Sequence, residues 1–237
     1  MGSTTFSGPI TSTNGFIGNL TGNVTGTTTG NVTGDLTGRV FGTVTTRSGA
    51  GAVPITAGTV RLTTTAADAL TLANLALTHE AVERLSLVLL QKQWMLASAE
   101  SCTGGMVAAA CTDLAGSSAW FERGFVTYSN AAKTQQLGVD AALIAQHGAV
   151  SEAVARAMAH GAVLHSKAQV ALAITGVAGP AGGTLDKPVG TVCFAWATPQ
   201  GLHSEVHHFE GDRAAVRQAS TLHSLLGLLS LVERPAT

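Results

Sequence analysis

The chain has 237 residues, of which 11% are charged and 28 are glycine, with a formal net charge of −1. That length suits one ordinary domain plus something extra, and the balanced charge leaves no basic footprint for nucleic acid or a membrane surface. Three cysteines without a CxxC spacing do not read as a disulfide framework, no apolar run has the length and purity of a membrane span, and Met1 to Ser3 lead into polar sequence, so a soluble cytoplasmic protein is expected.

The first element is a repeat. From 18 to 44 the even positions alternate Gly with Val or Leu (Thr28 once), and the odd positions are Asn, Thr, Asp and Arg, with Phe41 the one apolar exception. Extended chain points alternate side chains to opposite faces, so this pattern spells strand with one glycine-thinned apolar face. A helix is excluded, because glycine at every fourth position would cost about 1 kcal/mol each relative to Ala. Such a face cannot bury itself on one strand. A flexible Gly/Thr linker has no reason to keep Val and Leu in strict phase, so the pattern favours a chain that coils on itself or wraps several copies around an axis, and glycine at alternate inward positions suits the second. The segment resembles the glycine-punctuated repeats of phage tail-fibre and spike proteins, which form intertwined trimeric β-helices. An all-β repeat over residues 1–60, an intertwined trimeric β-helix or β-solenoid, is therefore expected, then a junction over 61–77.

At Thr78 the pattern changes. "THEAVERLSLVLLQKQ" places Val82, Leu85, Val88 and Leu89 on one helical face, with Thr78 as N-cap and Glu80 in the first turn. "WMLASA" reads as a buried strand, 103–113 as a small-residue helix and "WFERGFVTYS" as a strand. Helical text follows from 131 and again from Ser151 to His165. "QVALAIT" and "TVCFAWAT" are strands, "LHSEVHHFE" pairs after a Pro-Gln-Gly turn, and a last helix runs over about 212–232. This alternation predicts an α/β domain over 78–237, a mixed sheet flanked by helices.

Three strings carry chemistry. "AESCTGG" (99–105) stands where a strand turns into a helix starting near Thr103. There Ser101 would face free N–H groups at the positive end of the dipole, able to present a nucleophile and hold an oxyanion. "FVTYSNAAK" (125–133) ends a strand at Tyr128, opens a helix near Ser129 or Asn130 and puts Lys133 in its first turn. The dipole and partial burial would depress that amine's pKa, as a base toward serine requires. The same spacing is met by a Ser101 that only caps and a Lys133 that is solvated. "ITGVAGPAGG" (174–183) offers successive N–H groups to an anion, and Arg213 in "EGDR" offers a bidentate clamp. His203 and His207, four apart in a strand, lie about 13 Å apart, so no metal is expected.

Together the strings resemble the CinA C-terminal domain family, whose stand-alone members are nicotinamide-nucleotide amidohydrolases. "DLAGSSAWFERGFVTYSN", "HGAVSE", "KPVGTV" and "GDR" extend the match. The resemblance implies hydrolysis of the carboxamide of nicotinamide mononucleotide, a small-molecule nucleotide, with no cofactor. It makes Ser101 the nucleophile, with Lys133 and Tyr128 handling its proton, and ranks the neighbouring thiol of Cys102 below Ser101. Cys102, Thr103, Gly104 and Gly105 would contact substrate beside the nucleophile. Ser129, Asn130, Thr175, Gly176, Gly179 and Arg213 would hold its phosphate and ribose. A leading Met-Gly-Ser and the break near 78 point to an engineered fusion of a fibre-like repeat to an amidohydrolase. The alternative is a fibre protein with an inactive, enzyme-like tip. Either way a homotrimer is expected, because repeat and domain must share one rotation axis.

Overall fold

The structure, a computed structural model, describes residues 66–233 and six two-residue strands upstream of them. The chain divides into two compact units, residues 1–65 and 66–237. In the first unit the strands are β1 (Phe16–Ile17), β2 (Leu20–Thr21), β3 (Val24–Thr25), β4 (Val32–Thr33), β5 (Leu36–Thr37) and β6 (Val40–Phe41). They pair in parallel, Phe16 with Val32, Leu20 with Leu36 and Val24 with Val40. The rest of the expected repeat, its trimeric winding and the start of the junction lie outside the described residues.

The second unit opens with α1 (Ala66–Lys92) and β7 (Leu96–Glu100), followed by α2 (Met106–Asp113), a 3-10 turn and β8 (Phe121–Val126). Three helices come next: α3 (Asn130–Leu137), α4 (Ala141–His147) and α5 (Glu152–Leu164). Then follow β9 (Val170–Gly176), β10 (Thr191–Thr198), β11 (Gly201–His208) and α6 (Arg213–Val232). Thr78 is not an N-cap. It sits inside α1, its hydroxyl donating to the Asn74 carbonyl at 2.6 Å. The Ala- and Leu-rich stretch before it holds no Gly or Pro, so nothing stops the helix from starting twelve residues earlier.

The five strands form one mixed sheet in the order β11-β10-β9-β7-β8. β7 runs parallel to both neighbours, while β10 is antiparallel to β9 and to β11. The strand pattern assigns the faces. Leu96, Val170, Leu172, Ile174, Val192, Phe194 and Trp196 pack with residues of α1, α2 and α6. The alternate residues Ala97, Ala99, Ala171, Ala173 and Ala195 pack with Val154, Ala155, Met158 and Ala159 of α5 and with Leu137 and Ile144. The alanine face lets α5 sit close, whereas the large side chains fill the gap to α1 and α6. Trp196 needs room there. Its ring lies over Gly227, where an added Cβ would come within 2.2 Å of it, and its indole N–H donates to the Ser224 carbonyl at 2.8 Å.

The chain leaves β7 toward one face of the sheet, through α2, and leaves β8 toward the other, through α3. Connections diverging from adjacent parallel strands open a crevice at the strands' C-terminal ends. Ser101 follows β7 and Lys133 follows β8, so both stand at that crevice.

Candidate active site

Glu100 ends β7 with no solvent exposure, and its carboxylate organises what comes next. One oxygen accepts from the Ser98 hydroxyl at 3.1 Å and the Ala108 amide at 2.9 Å. The other accepts from the Gly105 and Val107 amides at 2.9 and 3.1 Å. Gly104 and Gly105 take φ of 61° and 98°, a left-handed pair that folds the chain back onto this carboxylate. The helix therefore begins at Met106 rather than near Thr103, with Gly105 at its N-cap. This corrects the expected oxyanion corner. The anion at the positive end of α2 is Glu100 itself, and three of the amides expected for an oxyanion are occupied.

Ser101 lies in the turn before that helix, 8% exposed, its amide donating to the Ile174 carbonyl of β9 at 3.0 Å. Lys133 reaches it from α3. The Ser129 hydroxyl accepts from the Ala132 amide and caps that helix, which puts Lys133 in the first turn pointing inward. Its side chain is 1% exposed. Nζ donates to Ser101 Oγ at 2.9 Å and to the Thr127 carbonyl at 2.8 Å. Among the described residues no ion pair involves Lys133. Burial of the ammonium holds its pKa below the ordinary lysine range, and the nearby helix N-terminus acts in the same direction.

The adjacent thiol behaves in the opposite way. Burial pushes Cys102 up to about 11, so it stays protonated at neutral pH. Its carbonyl and that of Thr103 accept from Arg217 of α6, and Thr103 itself is fully buried with its hydroxyl unpartnered.

The other expected residues divide between cleft and scaffold. Arg213 donates to the Gly179 carbonyl at 2.9 Å and to the Tyr128 hydroxyl at 3.1 Å, tying the glycine-rich loop to the segment before α3. Tyr128 is 63% exposed, and its hydroxyl is partnered by Arg213 rather than by Ser101 or Lys133, so the expected proton-handling contact is absent. Arg213 and Arg217 line an open cleft of about 620 Å³ with Ala178, Gly179, Pro180 and Val189; Ser101 and Lys133 do not line it. Thr175 is a scaffold residue, its hydroxyl donating to the Ala149 carbonyl at 2.8 Å, and Gly176 permits close pairing with Val192. Ser129 is engaged as a cap, and Asn130 is the exposed first residue of α3. Among the described residues no group of three His, Cys, Asp or Glu side chains could hold a metal ion. The sequence reading missed Glu100, Thr127 and Arg217. Glu100 and Thr127 lie inside the very strings it singled out, whereas Arg217 stands alone in a helix.

The arrangement joins a buried serine hydroxyl to an amine of lowered basicity, beside a cleft carrying two guanidinium groups. Residues 78–232 match the family described as the CinA C-terminal domain. The chain is 57% identical over 129 residues to the nicotinamide-nucleotide amidohydrolase PncC of Escherichia coli K12, covering 54% of this chain and 78% of that protein. A 50% identical PncC from Enterobacter agglomerans is covered over 90% of its length, from 62% of this chain. A 52% identical CinA-like protein of Syntrophobacter fumaroxidans is covered over only 32% of its length, from 57% of this chain. Among solved structures, the competence/damage inducible protein CihA from Agrobacterium tumefaciens superposes with a TM-score of 0.64 at 41% identity. That match covers 65% of this chain and 95% of that one. From the strand-end serine to the "GDR" that opens α6, this chain belongs to the CinA C-terminal domain family.

Proposed function

We propose that the α/β unit hydrolyses the carboxamide of nicotinamide mononucleotide to nicotinate mononucleotide and ammonia, with Ser101 as nucleophile and Lys133 as its base. The observation that carries this reading is the buried 2.9 Å hydrogen bond between Lys133 Nζ and Ser101 Oγ. With the amine neutral the bond reverses, and the serine O–H donates to the nitrogen lone pair. Oγ then attacks the carboxamide carbon as its proton passes to Nζ. The C–N bond breaks and Lys133 returns the proton to the departing ammonia, and water completes the cycle by cleaving the ester. The Thr127 carbonyl keeps the amine aimed throughout. Arg213 and Arg217, with the 178–180 loop, line the cleft that takes the nucleotide's phosphate; Asp212 also lines it, its carboxylate engaged by the Ala215 amide, and Tyr128 is tied to the cleft through Arg213. The names of the relatives above support the substrate.

The test is ammonia release from nicotinamide mononucleotide by the full chain. Ser101→Ala is expected to abolish it while the fold persists. Lys133→Arg is expected to be nearly as inactive as Lys133→Ala, since guanidinium does not deprotonate in proteins. No turnover by the folded parent chain favours the inactive-tip alternative. The Gly/aliphatic period at 18–44 supports a homotrimer for the full chain, and a monomer or dimer by light scattering refutes it.

A further inference from the structure

The turn that carries Ser101 is held from the opposite side by one side chain. Arg217, half-buried in the second turn of α6, donates from Nε to the Cys102 carbonyl at 3.0 Å and from Nη2 to the Thr103 carbonyl at 2.8 Å. Two successive carbonyls thus share one rigid fork, and among the described residues no ion pair engages its charge. In a trans peptide the C=O and the following N–H point in opposite directions. Drawing the Thr103 carbonyl toward α6 turns the Gly104 N–H away from it, and that N–H donates to the Ser101 carbonyl at 3.1 Å. Drawing the Cys102 carbonyl likewise turns the Thr103 N–H away from α6. That N–H has no acceptor among the described residues. Glu100 holds the Gly105, Val107 and Ala108 amides, which leaves the Thr103 N–H open in the turn, together with those of Cys102 and Met106.

The geometry points to Arg217 as a positioning residue: by fixing the Cys102 and Thr103 carbonyls it aims the Thr103 N–H at the oxyanion that forms on attack by Ser101. This rests on Ser101 being the nucleophile. Lysine at 217 keeps the charge but is a single point donor, unable to hold both carbonyls in one plane.

The experiment measures labelling of Ser101 in the full chain by a fluorophosphonate, in which the Oγ–P bond forms, fluoride leaves and the hydroxyl proton passes to Lys133. Ammonia release from nicotinamide mononucleotide runs in parallel. Arg217→Lys is expected to slow labelling and lower kcat by about 10²-fold, the usual effect of misaligning reacting groups by about 1 Å, with KM much less changed. Arg217→Gln is the second variant should the first not fold. Arg84→Gln, which removes a surface arginine paired with Glu233 and leaves the turn intact, is expected to keep labelling and ammonia release at the parental rates. Parental labelling in folded Arg217→Lys overturns the inference and spares the proposed function. A labelled parent that releases no ammonia overturns the substrate, while the labelling comparison still decides Arg217. An unlabelled parent overturns the nucleophile and the inference together.

Discussion

Replacing Glu100 by Gln removes no volume and yet is expected to be among the most damaging single changes in the α/β unit. The carboxylate accepts four hydrogen bonds, two on each oxygen. Glutamine keeps one oxygen and sets an NH2 donor where the other stood, so either the pair Gly105 and Val107 or the pair Ser98 and Ala108 loses its acceptor. Hydrogen bonds to a charged group contribute about 1.5–3 kcal/mol each, so two of them amount to about 3–6 kcal/mol. The loss of a negative charge at the start of α2 acts in the same direction. Against a total stability of about 5–15 kcal/mol, this is a large fraction. For a domain of this size it lowers the thermal midpoint by about 6–24 °C. Circular dichroism melts of the parent, Glu100→Gln and Ser98→Ala chains at equal concentration check this. Ser98→Ala, which removes a single donor, is expected to cost much less. A shift below about 2 °C for Glu100→Gln, at the bottom of what even 1 kcal/mol produces, would refute the claim that this carboxylate organises the turn.

Lys133 makes stability depend on alkaline pH with a defined sign. Below its depressed folded pKa, the folded state carries the full desolvation cost of the ammonium. Between that value and the unfolded one of about 10.4, the unfolded chain holds a proton that the folded chain has lost, so stability rises with pH. Lys133→Met is expected to flatten this rise, and an unchanged slope in urea melts across the window shows that the amine is not depressed. Cys102→Ala is expected to retain most amidase activity, because a thiol raised to about 11 supplies almost no thiolate at neutral pH; loss of turnover with Ser101 intact reverses the choice of nucleophile. Gly227→Ala forces Trp196 to move, since the new methyl falls 2.2 Å from its ring; a destabilisation of about 1–3 kcal/mol in chemical denaturation is expected, and none at all refutes the packing account.

The sheet and its helices were legible because period and punctuation agree. The short apolar runs "QVALAIT" and "TVCFAWAT" read as strands, and Ser129, Ser151 and Asp212 stand where helices are expected to start and where the structure has their caps. Ser101 and Lys133 were legible as candidates because each directly follows a strand. Their 2.9 Å approach was not, since it depends on how β7 and β8 lie side by side. The change of composition at Thr78 mimics a boundary, whereas Ala and Leu on either side of it support one continuous helix, Ala66–Lys92. The role of Glu100 is hidden in "AESCTGG", because a carboxylate folding back on amides five to eight residues ahead leaves no periodic trace. Thr175 was assigned with its glycine-rich neighbours, but its side chain turns to the Ala149 carbonyl. Arg217 sits in a helix whose repeat signals only burial, and what it grips lies more than a hundred residues earlier in the chain.

β7, β8 and β9 run side by side in parallel, and each of the three chemical strings leaves the sheet at the same end of its own strand. Serine, amine and glycine-rich loop are therefore separately replaceable parts on a common frame. The loop from Val177 to Val189 spans the gap between two paired strands and contributes neither member of the Ser101–Lys133 pair. Lengthening or reshaping it alters what the cleft admits without shifting the register that sets the pair's distance. A scaffold of this kind can change its clientele while keeping its chemistry, and loop libraries confined to that stretch are the natural place to recruit it for other amides.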